Sequence, residues 1–160
     1  MLEATYLVGT LPAWSANLAR RVTRAPKVLF HDSGLLCHLL GLSAARLQSE
    51  PNFLGSLLEN FVANELLRQL EWSETRAKLF HFRTHSGEEV DLVLERPDGQ
   101  IVAVEVKASH SLGSSDWKGL RFLRQELGAK FLRGIVLYGG QHTTPLGDRL
   151  EAAPVSALWV

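Results

Sequence analysis

Two acidic residues and a lysine on neighbouring predicted strands are the part of this sequence best suited to chemistry. Asp91 lies in the first strand of the run EVDLVLERPDGQIVAVEVKAS, and Glu105 lies in the second, followed two residues later by Lys107. Two unit charges about 4 Å apart repel each other by roughly 4 kcal/mol at an effective dielectric constant near 20. An Asp and a Glu held side by side in a sheet therefore need a cation between them.

The length of the loop between these strands determines which residues face each other. Residues 96–100 have the composition of a hairpin loop between two segments rich in Val, Ile and Leu. A loop that closes symmetrically places Asp91 opposite Glu105 and Val93 opposite Ala103. Because side chains alternate along a strand, one face of the predicted hairpin is charged and the other is apolar. The charged face holds Asp91, Val93, Glu105 and Lys107, and the apolar face holds Val90, Leu92, Leu94, Val102, Val104 and Val106.

Carboxylate oxygens alone suit a hard divalent cation such as Mg²⁺ or Mn²⁺, and such an ion also binds phosphate. Lys107 would point its ammonium group at the same site, where it could orient a water molecule or stabilise developing phosphoryl charge. The alternative is that Lys107 pairs with Glu105 or Asp91 on a solvated outer face. The hairpin by itself leaves both interpretations open.

A third acidic residue is predicted on a helix that precedes the hairpin. The segment FLGSLLENFVANELLRQLEW, residues 53–72, has apolar residues at helical spacing and follows a proline start signal. Glu59 borders the apolar stripe, and Glu65 lies nearer its middle. An unpaired buried carboxylate is costly, so each of these residues needs a partner. We expect the helix to pack over the charged face, where either residue could reach a metal held by the hairpin. The alternative for Glu65 is a pair with Arg68 or with a backbone donor.

Four motifs, taken in order along the chain, resemble a known superfamily: KVLFHDSGLLCHLLGL, GSLLENFVANELL, FRTHSGEEVDLVLE and VEVKAS. The order of Glu59 on a helix, Asp91 on a strand and Glu105-Val106-Lys107 on the next strand resembles the PD-(D/E)XK nuclease-like superfamily. More closely, the motifs resemble the uncharacterised C-terminal domain that follows a AAA-type ATPase module in many bacterial and archaeal proteins. The chain departs from the superfamily pattern before Asp91, where a valine replaces the usual proline.

The resemblance implies an α/β fold in which a mixed β-sheet is flanked by helices around a restriction-endonuclease-like core. It also implies that Glu59, Asp91, Glu105 and Lys107 form the site. In this interpretation Asp91 and Glu105 hold Mg²⁺ or Mn²⁺. Glu59 and the carbonyl of Val106 complete the metal shell, and Lys107 assists the attacking water.

Two classes of function are compatible with these residues. The first is a divalent-metal-dependent phosphodiester hydrolase acting on nucleic acid, with DNA as the expected substrate. The second is a non-catalytic binding or regulatory module that docks a partner or nucleic acid for an attached AAA-type ATPase. The presence of all four signature residues favours the enzyme, whereas a formal net charge of zero favours the module. Fold alone does not decide between them.

The remaining segments are typical of one α/β domain. Strands are predicted at residues 3–10, 27–31, 78–84, 88–95, 100–108 and 131–138, and a short helix capped by Asp32 or Ser33 is expected to end at Gly41. The expected unit is a single nuclease-like domain, residues 1–160, from the C-terminal part of a longer ATPase protein. The sequence has no P-loop motif, so the ATPase module is expected outside this chain, in cis or in trans.

Charge and cysteine content bear on partners and location. Lys118, Arg121 and Arg124 lie three apart on a helix predicted at residues 115–127, where they either contact nucleic-acid phosphates or form a solvated face. Cys37 is the single cysteine of the chain, which excludes an internal disulfide. No segment is long and apolar enough to span a membrane. We therefore expect a cytoplasmic protein with no membrane partner.

Overall fold

The computed structural model describes residues 5–17, 21 and 24–159. Within them, the strands are β1 Val8–Leu11, β2 Lys27–Phe30, β3 Lys78–Arg83, β4 Glu89–Glu95, β5 Ile101–Lys107, β6 Phe131–Tyr138, β7 Thr144–Gly147 and β8 Leu150–Pro154. The helices are α1 Ser33–Leu39, α2 Ala44–Ser49, α3 Pro51–Trp72 and α4 Lys118–Leu127, with 3-10 turns at Gly128–Lys130 and Val155–Trp159. None of these helices combines the length and apolar character needed to cross a membrane.

The main sheet is mixed and six-stranded, in the order β3-β4-β5-β6-β8-β7. The β3–β4 and β4–β5 pairs are antiparallel, the β5–β6 and β6–β8 pairs are parallel, and β7 closes one edge antiparallel to β8. Helix α4 connects the parallel strands β5 and β6, as parallel neighbours require. The predicted α/β class and mixed sheet flanked by helices are confirmed.

Apolar residues cover both faces of this sheet. On one face, Val62 and Ala63 of α3 pack with Leu92, Val104 and Val106. On the other face, α4 packs over residues that include Val90, Val93, Ile101, Ala103 and Val136. The expectation that α3 packs over the charged face of the hairpin is therefore wrong: its apolar stripe covers the opposite face.

A β-bulge in β4 breaks the alternation that the sequence predicted. The pairs Phe80↔Val93 and Phe82↔Val90 leave Asp91 and Leu92 together opposite a single residue of β3. As a result Val90 packs in the same cluster as Val93 and not with Leu92. A bulge bends a strand and redirects its side chains, so it changes the direction of the predicted site residue Asp91.

Strands β1 and β2 form a separate antiparallel pair that docks onto the domain. Asn60 of α3 accepts a hydrogen bond from the backbone N–H of Phe30 and donates one to its carbonyl, each 2.9 Å long. Asn64 donates to the same carbonyl at 2.7 Å. Both amides are buried, so they hold β2 firmly against α3.

The predicted elements mostly lie where the sequence placed them. The helix predicted at residues 53–72 is observed as α3, and the helix predicted at 115–127 begins at Lys118. Asp32 caps α1 by accepting the N–H of Leu35 at 2.7 Å, and Gly41 follows that helix with a positive φ of 61°. The first predicted strand is shorter than expected, and residues 1–4 lie outside the described part of the chain.

Candidate functional site

The candidate site lies where β4 and β5 separate. The predicted pairing of Val93 with Ala103 is confirmed, and the ladder continues to Leu92↔Val104 before it ends. Beyond that point the carboxylate of Asp91 accepts a hydrogen bond of 2.9 Å from the backbone N–H of Val106. The Asp91 side chain thus replaces the backbone pairing that the strands have lost and extends toward β5.

Glu105 is the buried acid of the site, with 5% of its surface exposed. Burial raises the pKa of the Glu105 carboxyl to about 9, and the charge of Asp91 and a hydrogen bond with it add to the rise, whereas Lys107 opposes it. The two carboxyls are therefore close enough to interact, although the ladder ends before the predicted pairing of Asp91 with Glu105. Without a further cation Glu105 keeps its proton at neutral pH, because ionising a buried carboxyl beside another acid is costly.

Lys107 extends from the same strand toward Glu105. Its Nζ lies 3.6 Å from Glu105 Oε2, and its side chain is one-third exposed at 33%. The distance exceeds that of a normal hydrogen bond, so the ion pair is loose. Because one-third of this side chain is exposed, its ammonium is accessible from the solvent side.

Helix α4 covers Glu105 through a glycine. A Cβ atom on Gly119 would lie 2.0 Å from the carbonyl oxygen of Glu89 and 2.9 Å from Glu105 Oε1. Any other residue would push α4 away from the strands, so this helix approaches the sheet only because position 119 has no side chain. Gly119 was not predicted as a site residue from the sequence.

Glu59 points to the site from α3 but is held by a lysine. Lys27 Nζ of β2 lies 2.6 Å from Glu59 Oε1. Burial and then the charge of Asp91 raise the pKa of the Glu59 carboxyl, while its hydrogen bond to Lys27 lowers it. The pairing of Lys27 with Glu59 was not predicted from the sequence.

The described residues contain no group of three or more His, Cys, Asp or Glu side chains arranged to hold a metal ion. Asp91 and Glu105 are brought together, whereas Glu59 interacts with Asp91 through charge and with Lys27 through a hydrogen bond. The contribution of Glu59 to a metal shell stays a prediction. Glu65 pairs with Arg68, as its alternative interpretation expected.

The three basic residues predicted to bind nucleic acid all lie on or at the start of α4, and each has a partner within the fold. Lys118 Nζ is 2.9 Å from Glu88 Oε1, and Arg124 donates to the carbonyl of Asp148 at 2.7 Å. The guanidinium of Arg121 lies 5.9 Å from the centroid of the Trp117 ring. These contacts neither require nor prevent a nucleic-acid surface.

Two family models match the chain. One, described as Domain of unknown function (DUF4143), matches residues 54–158 and so includes every predicted site residue. The chain belongs to this family. The other, described as Domain of unknown function (DUF8612), matches residues 1–46, which contain β1, β2 and α1.

Two curated mycobacterial proteins are similar to the chain along nearly its whole length. They are Uncharacterized protein Rv2008c of Mycobacterium tuberculosis and Uncharacterized protein Mb2031c of Mycobacterium bovis. Each is 32% identical over 158 residues, which cover 98% of this chain and 34% of the relative. The chain therefore spans about a third of the length of the curated relatives it matches. No solved structure matches it.

Proposed function

We propose that the domain is a divalent-metal-dependent phosphodiester hydrolase of the PD-(D/E)XK type that acts on nucleic acid. The observation that carries the proposal is the pairing of Asp91 with the buried Glu105 at the point where β4 and β5 separate. Among the described residues, Lys107 is the cation found to oppose this repulsion, and it is loosely placed. A buried acid pair of this kind is much more stable with a divalent cation between its oxygens.

The donor set fits Mg²⁺ or Mn²⁺. Asp91 and Glu105 offer carboxylate oxygens, and both are hard ligands. In an extended strand the N–H and C=O of one residue point to the same edge, so the carbonyl of Val106 faces the β4 side together with the N–H that binds Asp91. Two carboxylates and one carbonyl would leave coordination positions for water and phosphate.

The bound cation would supply Lewis-acid stabilisation of the phosphate and would lower the pKa of a coordinated water. The residues of the chain do the rest. Asp91 is oriented by the Val106 N–H, and Glu105 is kept away from bulk water by α4 through Gly119. Lys107 can orient the attacking water or donate to a phosphate oxygen from the exposed side of Glu105.

DNA is the proposed substrate, and a AAA-type ATPase module in cis or in trans is the proposed partner. Both come from the resemblance of the four motifs. The curated relatives are about three times as long as the matched region, which leaves room for such a module.

One observation favours the alternative of a non-catalytic binding or regulatory module. With a pKa of about 9, Glu105 is protonated at neutral pH, so the acid pair can exist without metal. In that case the wild type should cleave no faster than a variant that lacks Glu59, Asp91 and Glu105 together. Neutralising Lys118, Arg121 and Arg124 should then lower nucleic-acid affinity and its salt dependence.

The Lys107→Ala variant separates the two functions in a cleavage assay with single- and double-stranded DNA and RNA in Mg²⁺ or Mn²⁺. Since ammonium is not a metal ligand, metal affinity should be nearly unchanged, while cleavage should fall by about two orders of magnitude or more. Lys130→Ala, a change at an exposed lysine far along the chain, is the matched control and should cleave like the wild type. Equal cleavage by wild type and Lys107→Ala would contradict the role of Lys107. A wild type that cleaves no faster than the variant lacking Glu59, Asp91 and Glu105 would contradict the enzymatic proposal.

A further inference from the structure

Lys27 brings a second ammonium group to the candidate site from outside the main sheet. It lies on β2, and its Nζ is 2.6 Å from Glu59 Oε1 on α3. Burial and then the charge of Asp91 raise the pKa of this same Glu59 carboxyl. Burial and then the charge of Lys27 lower the pKa of His81, which lies opposite the bulge of β4. The lysine therefore contacts Glu59, and Glu59 lies near enough to Asp91 for their charges to interact.

The fold fixes this lysine in place. The buried amides of Asn60 and Asn64 bind both backbone groups of Phe30, three residues after Lys27 on the same strand. Asn60 directly follows Glu59 on α3. One turn of α3 thus holds both the strand that carries Lys27 and the acid that orients its ammonium. A merely solvated surface lysine would need no such support.

The ammonium of Lys27 is available for a ligand. An ammonium group has three N–H donors, and in the described part of the chain Glu59 is the hydrogen-bond acceptor found for Lys27 Nζ. The Lys27 side chain is 36% exposed and that of Glu59 is 28% exposed. The remaining donors can therefore reach a molecule at the surface beside the acids.

We propose that Lys27 binds a backbone phosphate of the nucleic-acid substrate, and that Glu59 positions Lys27 and does not bind the metal. This inference rests on the proposed function. Lys107 lies on the α4 side of β5 with Glu105, whereas Lys27 and Glu59 approach from the α3 side. The acid pair then has an ammonium on each side, and a phosphodiester drawn to the site meets positive charge on both flanks.

The test compares Lys27→Ala, Glu59→Gln and the double variant Lys27→Ala/Glu59→Gln, with Lys130→Ala as control. The probe is a short fluorescent DNA duplex, whose dissociation constant is measured by anisotropy in Ca²⁺ at several salt concentrations. Mn²⁺ affinity is measured by calorimetry. Thermal melting of every variant shows whether β2 remains docked.

The Lys27→Ala variant should bind the duplex about tenfold more weakly, as expected for one lost charge-assisted hydrogen bond. Its salt slope should fall by about 1. The double variant should stay as weak as Lys27→Ala, because the phosphate contact itself is gone. Glu59→Gln keeps an acceptor for Lys27 and should hold Mn²⁺ within about twofold of the wild type.

Several results would overturn the inference. Recovery of affinity in the double variant would show that Lys27 only neutralises Glu59, and loss of Mn²⁺ binding in Glu59→Gln would make Glu59 a metal ligand. A wild type that does not bind the duplex would also overturn it. A wild type that binds the duplex but does not cleave it would overturn the proposed hydrolase activity only. The Lys27 variants would then still test whether Lys27 binds a phosphate.

Discussion

At the scale of single residues, Glu105 has the most unusual environment in the site. It is almost fully buried under α4, it lies beside Asp91, and Lys107 is too far away for a close hydrogen bond. Its carboxyl therefore favours the protonated form in the folded protein unless a cation binds. This makes the acid pair a source of instability at neutral and alkaline pH when metal is absent.

The pH dependence of stability should report this directly. The pKa of Glu105 is raised to about 9 in the folded state, against an ordinary value near 4.3 in the unfolded chain. As the pH rises, the unfolded chain loses this proton before the folded protein does. The protonated Glu105 therefore contributes its full stabilisation below about pH 4, and this contribution is lost as the pH rises toward 9. The free energy of unfolding of the wild type should fall relative to Glu105→Gln by at most about 1.4 kcal/mol per pH unit.

Denaturant unfolding in EDTA from pH 5 to pH 8 measures this difference. Gln keeps the shape of the side chain but has no charge to bury. Glu126→Gln, at an exposed glutamate of α4, is the matched control and should follow the wild type at every pH. Parallel pH curves for the wild type and Glu105→Gln would contradict the account of this acid pair.

At the scale of secondary-structure elements, the hairpin was predictable because its loop length and its alternating apolar residues agree. The pairing of Val93 with Ala103 follows from those two features alone. The bulge that places Asp91 and Leu92 opposite one residue of β3 did not follow. It depends on β3, whose pairing partner and register are not encoded within the hairpin. The predicted alternation therefore failed at Asp91, one of the predicted site residues.

The position of α3 was mispredicted for a related reason. Helical spacing showed which residues of α3 are apolar, but not which face of the sheet they cover. Because the sheet is buried on both faces, Leu92, Val104 and Val106 provide an apolar surface as good as that of Val93 and Ala103. Asn60 and Asn64 interrupt the apolar stripe at a spacing of one helical turn, and that signal could have indicated a docked strand.

The hydrogen bonds that Asn60 and Asn64 of α3 form with Phe30 of β2 should contribute measurably to stability. Asn60→Ala leaves the N–H of Phe30 without its 2.9 Å partner, and an unsatisfied buried group costs about 1–3 kcal/mol. We expect a loss of that size in the free energy of unfolding, measured with urea. Asn52→Ala, at an exposed position of the same helix, should change it by less than about 0.5 kcal/mol. Equal effects of the two changes would contradict a structural role for these hydrogen bonds.

At the scale of the whole molecule, the site lies at the junction of three parts: the hairpin β4–β5, helix α4 on one face, and α3 with its docked strand β2 on the other. The hairpin contributes Glu105 and Lys107, and α3 with β2 contributes Glu59 and Lys27. Helix α4 contributes the absence of a side chain at Gly119. The two family models divide the chain between the docked β1–β2 segment and the sheet. If Lys27 binds substrate, the complete site needs residues from both matched regions.

Calorimetric titration of the 160-residue chain with Mn²⁺ tests most directly the claim that the acid pair is held for a divalent cation. The wild type should bind the ion, with affinity rising as the pH approaches 9 because Glu105 must lose its proton. Asp91→Asn and Glu105→Gln should each abolish binding, while Glu126→Gln should bind as the wild type does. Unchanged Mn²⁺ affinity in both site variants, or none in the wild type, would contradict the claim.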